Sequence, residues 1–243
     1  MLSHLLSDPQ IQNIQLAPQT STFIDMMRIV FDWELNARAL PRFRGAICEA
    51  AGREAHLFHN HDPATGKNLY RFPQIQYRLD RNRACLIGFN EGADALSQFM
   101  RRWDGTLRWE GEIIRPSLAV GRRELLQGGS REGMRTYRLK DWLALNRDNY
   151  QWWQETPSLI NRVTRLEEIL TAHFLMMAKG LDWDIHWDLQ MGIVDIERMR
   201  TLTYRGAKRL GFDLVFQANA DIPRHLALGK AISEGFGRVH RVG

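Results

Sequence analysis

The order of strand and helix patterns in the first half of the chain is the feature that most constrains its fold. Runs of β-branched and aromatic residues predict strands, and apolar residues at helical spacing predict helices. The predicted elements are, in order, a strand at 23–35, a helix at 39–51, a hairpin of strands at 72–79 and 84–89, a helix at 91–100 and a strand at 107–114. This β-α-β-β-α-β order predicts a ferredoxin-like unit, which occurs in many RNA-binding domains and in unrelated proteins.

Weaker patterns in the second half fit another ferredoxin-like unit, one whose second helix is degraded. The predicted elements are a strand at 135–142, a short helix at 146–153, a long helix at 159–178 and strands at 183–189, 201–205, 212–218 and 236–242. We therefore predict an α+β protein of two tandem ferredoxin-like domains, with the boundary near Glu112. The predicted domains are residues 1–112 and residues 113–243.

The distribution of charge favours a polyanionic partner. Residues 101–141 carry ten Lys or Arg against six Asp or Glu, the flanking segments are nearly balanced, and 28 of the 33 basic residues are arginine. Arginine grips phosphate with a planar fork and stacks on bases. An arginine-biased composition with a solvated surface explains the same numbers, so charge alone leaves both interpretations open. If nucleic acid binds, the expected phosphate contacts are Arg101, Arg102, Arg115, Arg122 and Arg123.

Cysteine usage and hydropathy indicate the cellular compartment and whether the chain crosses a membrane. Cys48 and Cys85 are the two cysteines and form no C-x-x-C pair, which argues against a disulfide scaffold and a thiolate zinc site. No apolar run is long enough to cross a bilayer, and no secretion signal is evident. We expect a cytoplasmic protein that does not bind membranes.

A cluster of histidines gathers the most groups that can transfer a proton near neutral pH. His56, His59 and His61 fall within six positions, directly before a loop that contains Pro and Gly. Imidazole titrates near neutral pH and can act as a general base or acid. RNA supplies its own nucleophile, the ribose 2′-hydroxyl, so an enzyme need only move protons, align the attack and stabilise charge. We therefore predict a metal-free RNA-cleaving site with His59 or His61 as base or acid. The expected supporting residues are Tyr70, which donates or orients a proton, and Lys67 and Arg71, which stabilise charge.

Three other interpretations of the histidines remain open at this point. Each could be a surface residue without a role. His59 and His61, two positions apart, could bind zinc, although no third ligand is evident nearby. The tripeptide His-Asn-His also invites comparison with the metal nucleases of that name, but their motif residues are widely spaced, so a contiguous match means little.

A glycine-rich run near the C-terminus is the second candidate. Gly229, Gly235 and Gly237 would let the backbone approach a phosphate, and Lys230 and Ser233 add a charge and a hydroxyl. The spacing matches neither a P-loop nor a dinucleotide-binding loop. From these residues alone, a tight turn that enters the last strand is the preferred interpretation.

Several motifs in a fixed order connect the two candidate segments. They are R-G-A-I-C at 44–48, F-H-N-H-D at 58–62, Y-R-F-P-Q-I-Q-Y at 70–77, L-I-G-F-N-E-G-A at 86–93, W-L-A-L-N-R-D-N-Y at 142–150 and the ending F-x-A-N…I-P…L-G-K…S-x-G-F-G. In this order they resemble the CRISPR-associated endoribonucleases that process repeat-containing precursor RNA, members of the RAMP superfamily. The resemblance covers residues 23–239.

The resemblance implies a fold and a reaction. The family has two tandem ferredoxin-like (RRM-like) domains and cleaves within the CRISPR repeat without a metal or other cofactor, leaving a 2′,3′-cyclic phosphate and a 5′-hydroxyl. Its catalytic histidine lies in the loop after the first helix, which here favours His61 and His59 over His56, and Tyr70 matches a tyrosine that assists. The expected partners are CRISPR repeat RNA in the precursor transcript and subunits of a CRISPR effector complex.

The glycine-rich run at residues 227–237, which we call the terminal loop, departs from the family pattern. Ala227 and Ala231 stand where glycine and serine are usual, and Glu234 places a carboxylate that would repel phosphate. These departures motivate a second hypothesis, a non-catalytic subunit that holds repeat RNA in an effector complex. A metal-dependent DNase is the third.

Overall fold

The computed structural model describes residues 21–59 and 71–243, and the predicted site residues His61, Lys67 and Tyr70 lie outside that part of the chain. The strands are β1 (Ser21–Glu34), β2 (Ile75–Asp80), β3 (Arg83–Phe89), β4 (Leu107–Trp109), β5 (Glu112–Ile114), β6 (Leu118–Trp142), β7 (Met191–Tyr204), β8 (Ala207–Asp221) and β9 (Arg238–Arg241). The helices are α1 (Leu40–Ala51), α2 (His56–His59), α3 (Glu91–Arg102), α4 (Arg147–Glu155) and α5 (Leu159–Gly180), with 3-10 turns at Ala37–Ala39 and Ile232–Glu234. In these residues, no helix has both the length and the apolar character that a bilayer crossing requires.

One antiparallel sheet runs through both halves of the described chain. Its strand order is β2-β3-β1-β6-β8-β7, and β9 also pairs with β6. The strand β6 pairs with β1 through its first half, from Leu118 to Gly129, and with β8 and β9 through its second half. The sheet therefore contains two ferredoxin-like units, ordered β2-β3-β1-β6 and β9-β6-β8-β7, with β6 as the last strand of one and the first of the next. The predicted fold class is confirmed.

The helices of the first unit cover one face of its four strands. Phe43 on α1 and Leu96 on α3 are fully buried together with Tyr77 and Leu86 of the sheet. Strands β2 and β3 form a two-residue hairpin, in which Asp80 pairs with Arg83 and the loop residues Arg81 and Asn82 both have positive φ. That conformation suits the twist of a tight hairpin. The other face of the first unit packs against the second unit in a shared core.

The second unit has one long helix, α5, and no second long helix in the described residues between β8 and β9. A glycine-rich segment occupies that place, with a turn at Arg224–His225 and a 3-10 turn at Ile232–Glu234. Buried Trp142, Phe174 and Phe212 join β6, α5 and β8 in the core. The predicted degraded helix is confirmed, since the 3-10 turn is the only helical element of the terminal loop among the described residues.

Two predicted strands are wrong. Residues 107–114 form the separate β4-β5 hairpin, because Glu110 and Gly111 both adopt positive φ and turn the chain back in the middle of the segment. The fourth strand of the first unit is instead the first half of β6. Residues 183–189 form no strand: this segment is irregular, and Trp183 is buried against Phe174 of α5. The predicted division of the chain at residue 112 stays a prediction.

Candidate functional site

The short helix α2, which carries the first two histidines of the cluster, is held to the core by buried donors. The Tyr77 hydroxyl donates a hydrogen bond of 3.0 Å to the Phe58 carbonyl, and the Cys48 thiol lies 3.2 Å from the same oxygen. Burial raises the pKa of Tyr77 well above its usual value and also raises the pKa of Cys48, so both groups stay protonated at neutral pH. The Phe58 ring is buried as well. The backbone that leads into His59 is therefore fixed.

His59 is partly exposed and has a defined ring orientation. Its Nε2 lies 3.1 Å from the carbonyl oxygen of Gly52. Gly52 has positive φ and is the C-cap residue that follows α1. Because a carbonyl can only accept, Nε2 carries the hydrogen. In the neutral ring this leaves Nδ1 with the lone pair that can take up a proton. His56 is exposed and lies apart, on a groove between α1 and α3 that Arg102 also lines.

An ion-pair network joins residues 56–59, which we call the histidine segment, to the terminal loop. Arg44 of α1 donates through Nη2 to the His59 carbonyl at 2.6 Å and through Nη1 to Glu234 Oε1 at 3.1 Å. Arg205, in the turn between β7 and β8, lies 3.3 Å from the same carboxylate oxygen. The Glu234 side chain is only 4% exposed. The carboxylate that sequence analysis expected to repel phosphate is thus buried and neutralised by two guanidinium groups.

A cleft of about 310 Å³, which we call the loop cleft, opens beside this network. The residues that line it include Arg71, Lys230 and Ser233, three of the predicted RNA-binding residues, together with Arg44 and Arg205. Residue 71 precedes the first hairpin, and residues 230 and 233 lie in the terminal loop. The fold therefore brings two distant candidate segments to one cationic cleft. Burial, followed by the nearby charge of Arg209, lowers the pKa of Lys230.

His173 of α5 also lines the loop cleft, and its sequence context gave no sign of this. The Trp142 indole donates a hydrogen bond of 3.2 Å to His173 Nδ1. Burial, with the charge of Lys230 as a second cause, lowers the pKa of His173 to about 4, so the ring is neutral near pH 7. Its neighbours in the sequence are apolar, a pattern that predicts a satisfied core histidine; only the fold reveals the cleft.

The glycines of the terminal loop are required by packing. Gly229 has a φ of 104°, and a Cβ there would come within 2.6 Å of the Trp142 ring. Gly237 has a φ of 65°, and its Cβ would collide with the Leu228 carbonyl. The loop is therefore compressed against β6 and against itself, as expected for the tight-turn interpretation.

Comparison with known proteins decides the family. Residues 22–119 match the Cas6b N-terminal domain and residues 129–242 match the Cas6b C-terminal domain. The chain belongs to the Cas6b family. The predicted resemblance to the CRISPR-associated endoribonucleases is confirmed.

Solved structures share the Cas6b fold. A crystal structure of Cas6b aligns with a TM-score of 0.79 at 23% identity, over 91% of this chain and 100% of that chain. A second crystal structure, of a CRISPR RNA processing endoribonuclease Cas6b, aligns with a TM-score of 0.69 at 22% identity, again over 91% of this chain and 100% of that chain. An uncharacterized protein of Methanocaldococcus jannaschii is 33% identical over 137 residues, which are 56% of this chain and 92% of the relative.

The arginines predicted to contact phosphate in the middle of this Cas6b chain do not line the loop cleft. Arg123 pairs with Asp25 and Asp94, and Arg122 lies 3.1 Å from a Glu124 oxygen. Arg101 donates to the Ser97 hydroxyl on the same helix. The last two, Arg102 and Arg115, lie at the end of α3 and just before β6. Whether these five residues contact phosphate stays a prediction.

A second cationic cleft, of about 820 Å³, lies where the two Cas6b units meet, and sequence reasoning missed it. Arg78 of β2 is 5% exposed there, and it has no carboxylate partner in the described part of the chain. Burial lowers the pKa of Arg78 to about 10, and its Nε has no hydrogen-bond partner among those residues. A buried guanidinium without a counter-charge is costly, which favours an anion at this position. The other basic residues that line this inter-unit cleft are Arg28, Arg81, Arg135, Arg224, His225, Arg238, His240 and Arg241.

Proposed function

We propose that this chain is a metal-independent endoribonuclease that cleaves CRISPR repeat RNA in the precursor transcript. The ribose 2′-hydroxyl attacks the adjacent phosphodiester and leaves a 2′,3′-cyclic phosphate and a 5′-hydroxyl. One observation carries the proposal: Arg44 holds the histidine segment next to a cleft that Arg71 and Lys230 line. This contact supports the proposal, because such a reaction requires proton-transfer groups and cationic groups close to each other.

Each group has a role in the proposed reaction. One imidazole of the pair His59 and His61 removes the 2′-hydroxyl proton as the oxygen attacks phosphorus. The other protonates the 5′-oxygen as its bond to phosphorus breaks. Arg71 and Lys67 stabilise the extra negative charge on the phosphoryl oxygens, and Tyr70 orients or donates a proton.

The clefts suggest how the RNA is held. The loop cleft binds phosphates next to the scissile bond through Arg71, Lys230 and Ser233. The inter-unit cleft, where Arg78 donates to the Gln76 side chain but has no carboxylate partner in the described residues, offers a second cationic surface for the same strand. The natural partner is repeat RNA, with CRISPR effector subunits as further partners, and the expected location is the cytoplasm.

The test of the proposed reaction is incubation with the cognate repeat RNA in excess EDTA. We expect cleavage at an unchanged rate, because the histidines and cationic side chains supply all the proton transfer and charge stabilisation. Denaturing electrophoresis and mass spectrometry of the 5′ fragment check the rate and the cyclic phosphate. Cleavage that stops in EDTA and returns with a divalent cation would contradict the mechanism.

A second candidate function is a non-catalytic subunit that holds repeat RNA for an effector complex. The inward orientation of Glu234 favours it, because this carboxylate occupies Arg44 and Arg205, which could otherwise bind phosphate. Tight repeat binding without any product in the same incubation would support this function and exclude the first.

Salt dependence tests the loop cleft. We expect Arg71→Ala and Lys230→Ala each to reduce the slope of log K against log salt by about 0.7, since each removes one phosphate contact to single-stranded RNA. Titration of labelled repeat RNA at several salt concentrations measures the slope. Arg165→Ala is the matched control, because Arg165 lies on α5 and pairs with Glu168. Equal slopes for the wild type and both cleft variants would remove these residues from the interface.

A further inference from the structure

We propose that Glu234 is a positioning residue for the histidine segment and acts through Arg44. This inference rests on the proposed function and adds a component to its site. A carboxylate in the terminal loop and the backbone of His59 are held by the two ends of one guanidinium group, at 3.1 Å and 2.6 Å. Glu234 need not touch RNA to affect its cleavage.

The carboxylate has a rigid support. Glu234 closes a 3-10 turn in which its amide donates to the Ala231 carbonyl at 2.9 Å, and Ile232 in the same turn is buried. The next residue, Gly235, has a φ of 87°, and a Cβ there would lie 3.2 Å from Leu40 of α1. The turn is therefore packed against the helix that carries Arg44, and the carboxylate position is set by the fold.

The guanidinium transmits this position because it is planar and rigid. Two of its nitrogens point to different partners, so fixing one end fixes the direction of the other. The Arg44 side chain is only 13% exposed, which removes most of the competing water. Without the carboxylate, Arg44 would keep a buried charge whose remaining hydrogen-bond partners in the described residues, the His59 carbonyl and the Cys48 thiol, are neutral.

The position of this contact in the chain gives it a functional consequence. The His59 carbonyl belongs to the last residue of α2, at the point from which the chain continues to His61 and Tyr70. An anchor there fixes the end of the histidine segment, directly before the rest of the cluster in the sequence. Since a misplacement of about 1 Å at a reacting group can cost a hundredfold in rate, the loss of this anchor should slow chemistry more than binding.

The experiment compares Glu234→Gln with Glu234→Asp and with the matched control Glu197→Gln. Glu197 of β7 also bridges two cations, Arg138 and Lys140, and it does not contact the histidine segment. We measure the single-turnover cleavage rate, the Kd for repeat RNA and amide hydrogen exchange of residues 56–59 in the free protein. Arg44→Lys is a second variant, because an ammonium group lacks the fork that joins the two partners.

We expect Glu234→Gln to lower the cleavage rate by about tenfold with an unchanged or lower Kd, and to speed exchange at residues 56–59. Glu234→Asp should restore part of the rate, and Arg44→Lys should reproduce the defect. Because both residues act through one contact, the double variant that combines Glu234→Gln with Arg44→Lys should be no slower than Arg44→Lys alone. Glu197→Gln should match the wild type in all three measurements.

Several results would overturn the positioning role. They are wild-type exchange at residues 56–59 in Glu234→Gln, a loss of rate matched by an equal loss of affinity, and an equal defect in Glu197→Gln. A wild-type protein that binds repeat RNA but does not cleave it would refute the proposed function instead. In that case, hydrogen exchange of the free protein still decides whether Glu234 holds the segment.

Discussion

Replacing His59 and His61 together by Ala is expected to slow cleavage of the repeat RNA by about a hundredfold or more, with little change in affinity. Both proton transfers of the proposed reaction depend on these two imidazoles. The cationic residues of the loop cleft remain in the variant, and we expect them to bind the phosphates as before. Single-turnover kinetics at saturating protein measure the rate, and a filter-binding titration measures the affinity.

The matched control for this variant is His186→Ala. His186 is 71% exposed and lies in the irregular segment before β7. We expect this control to cleave at the wild-type rate. Groups that act as a unit give non-additive losses, so either single histidine variant should lose most of what the double variant loses. A double variant within a few-fold of the wild type would assign the proton transfers to other residues.

A repeat RNA with a 2′-methoxy group on the ribose at the cleavage position should bind normally and yield no product. The methyl group removes the proton that the base must take and blocks the attacking oxygen, so the loss should reach the detection limit. The control substrate carries the same methoxy group one nucleotide away and should be cut at the normal rate. Electrophoresis of both substrates under single-turnover conditions makes the comparison.

A third substrate, a repeat with 2′-deoxyribose at the cleavage position, helps to separate the competing mechanisms. A metal-dependent DNase would cut a repeat with 2′-deoxyribose at the cleavage position, because its nucleophile is an activated water. A non-catalytic subunit would bind both RNAs and cut neither. Equal cleavage of the blocked and native RNAs would eliminate the 2′-hydroxyl as the nucleophile.

Much of the fold could be predicted because its signals are local. Hydrophobic periodicity predicted α1, α3 and α5, and the polar turn at Asp80–Arg83 predicted the β2-β3 hairpin. The first half of β6 was missed, because it contains Gly121, Gly128 and Gly129 among charged residues and much of it is exposed. What makes it a strand is pairing with β1, a partner about a hundred positions away in the sequence.

The site was only partly predictable for the same reason. Arg71, Lys230 and Ser233 were candidates from their own segments, but only the packing of the terminal loop shows that they share a cleft. Glu234 looked like an obstacle to RNA, because its partner Arg44 is 190 positions away. Arg78 alternates with core residues on β2, and its position in the inter-unit cleft depends on how the two units pack together.

The shared strand β6 has a mechanical consequence. Leu118–Trp142 is hydrogen-bonded into both units, so a paired strand and not a flexible linker connects them. Neither unit can therefore move away from the other without breaking main-chain hydrogen bonds. The pairing with β8 is interrupted between Ser130 and Arg135, where Gly133 has a φ of 69°. Ser130 and Arg135, on either side of this interruption, both line the inter-unit cleft. The shape of that cleft therefore depends on the backbone of the strand that joins the two units.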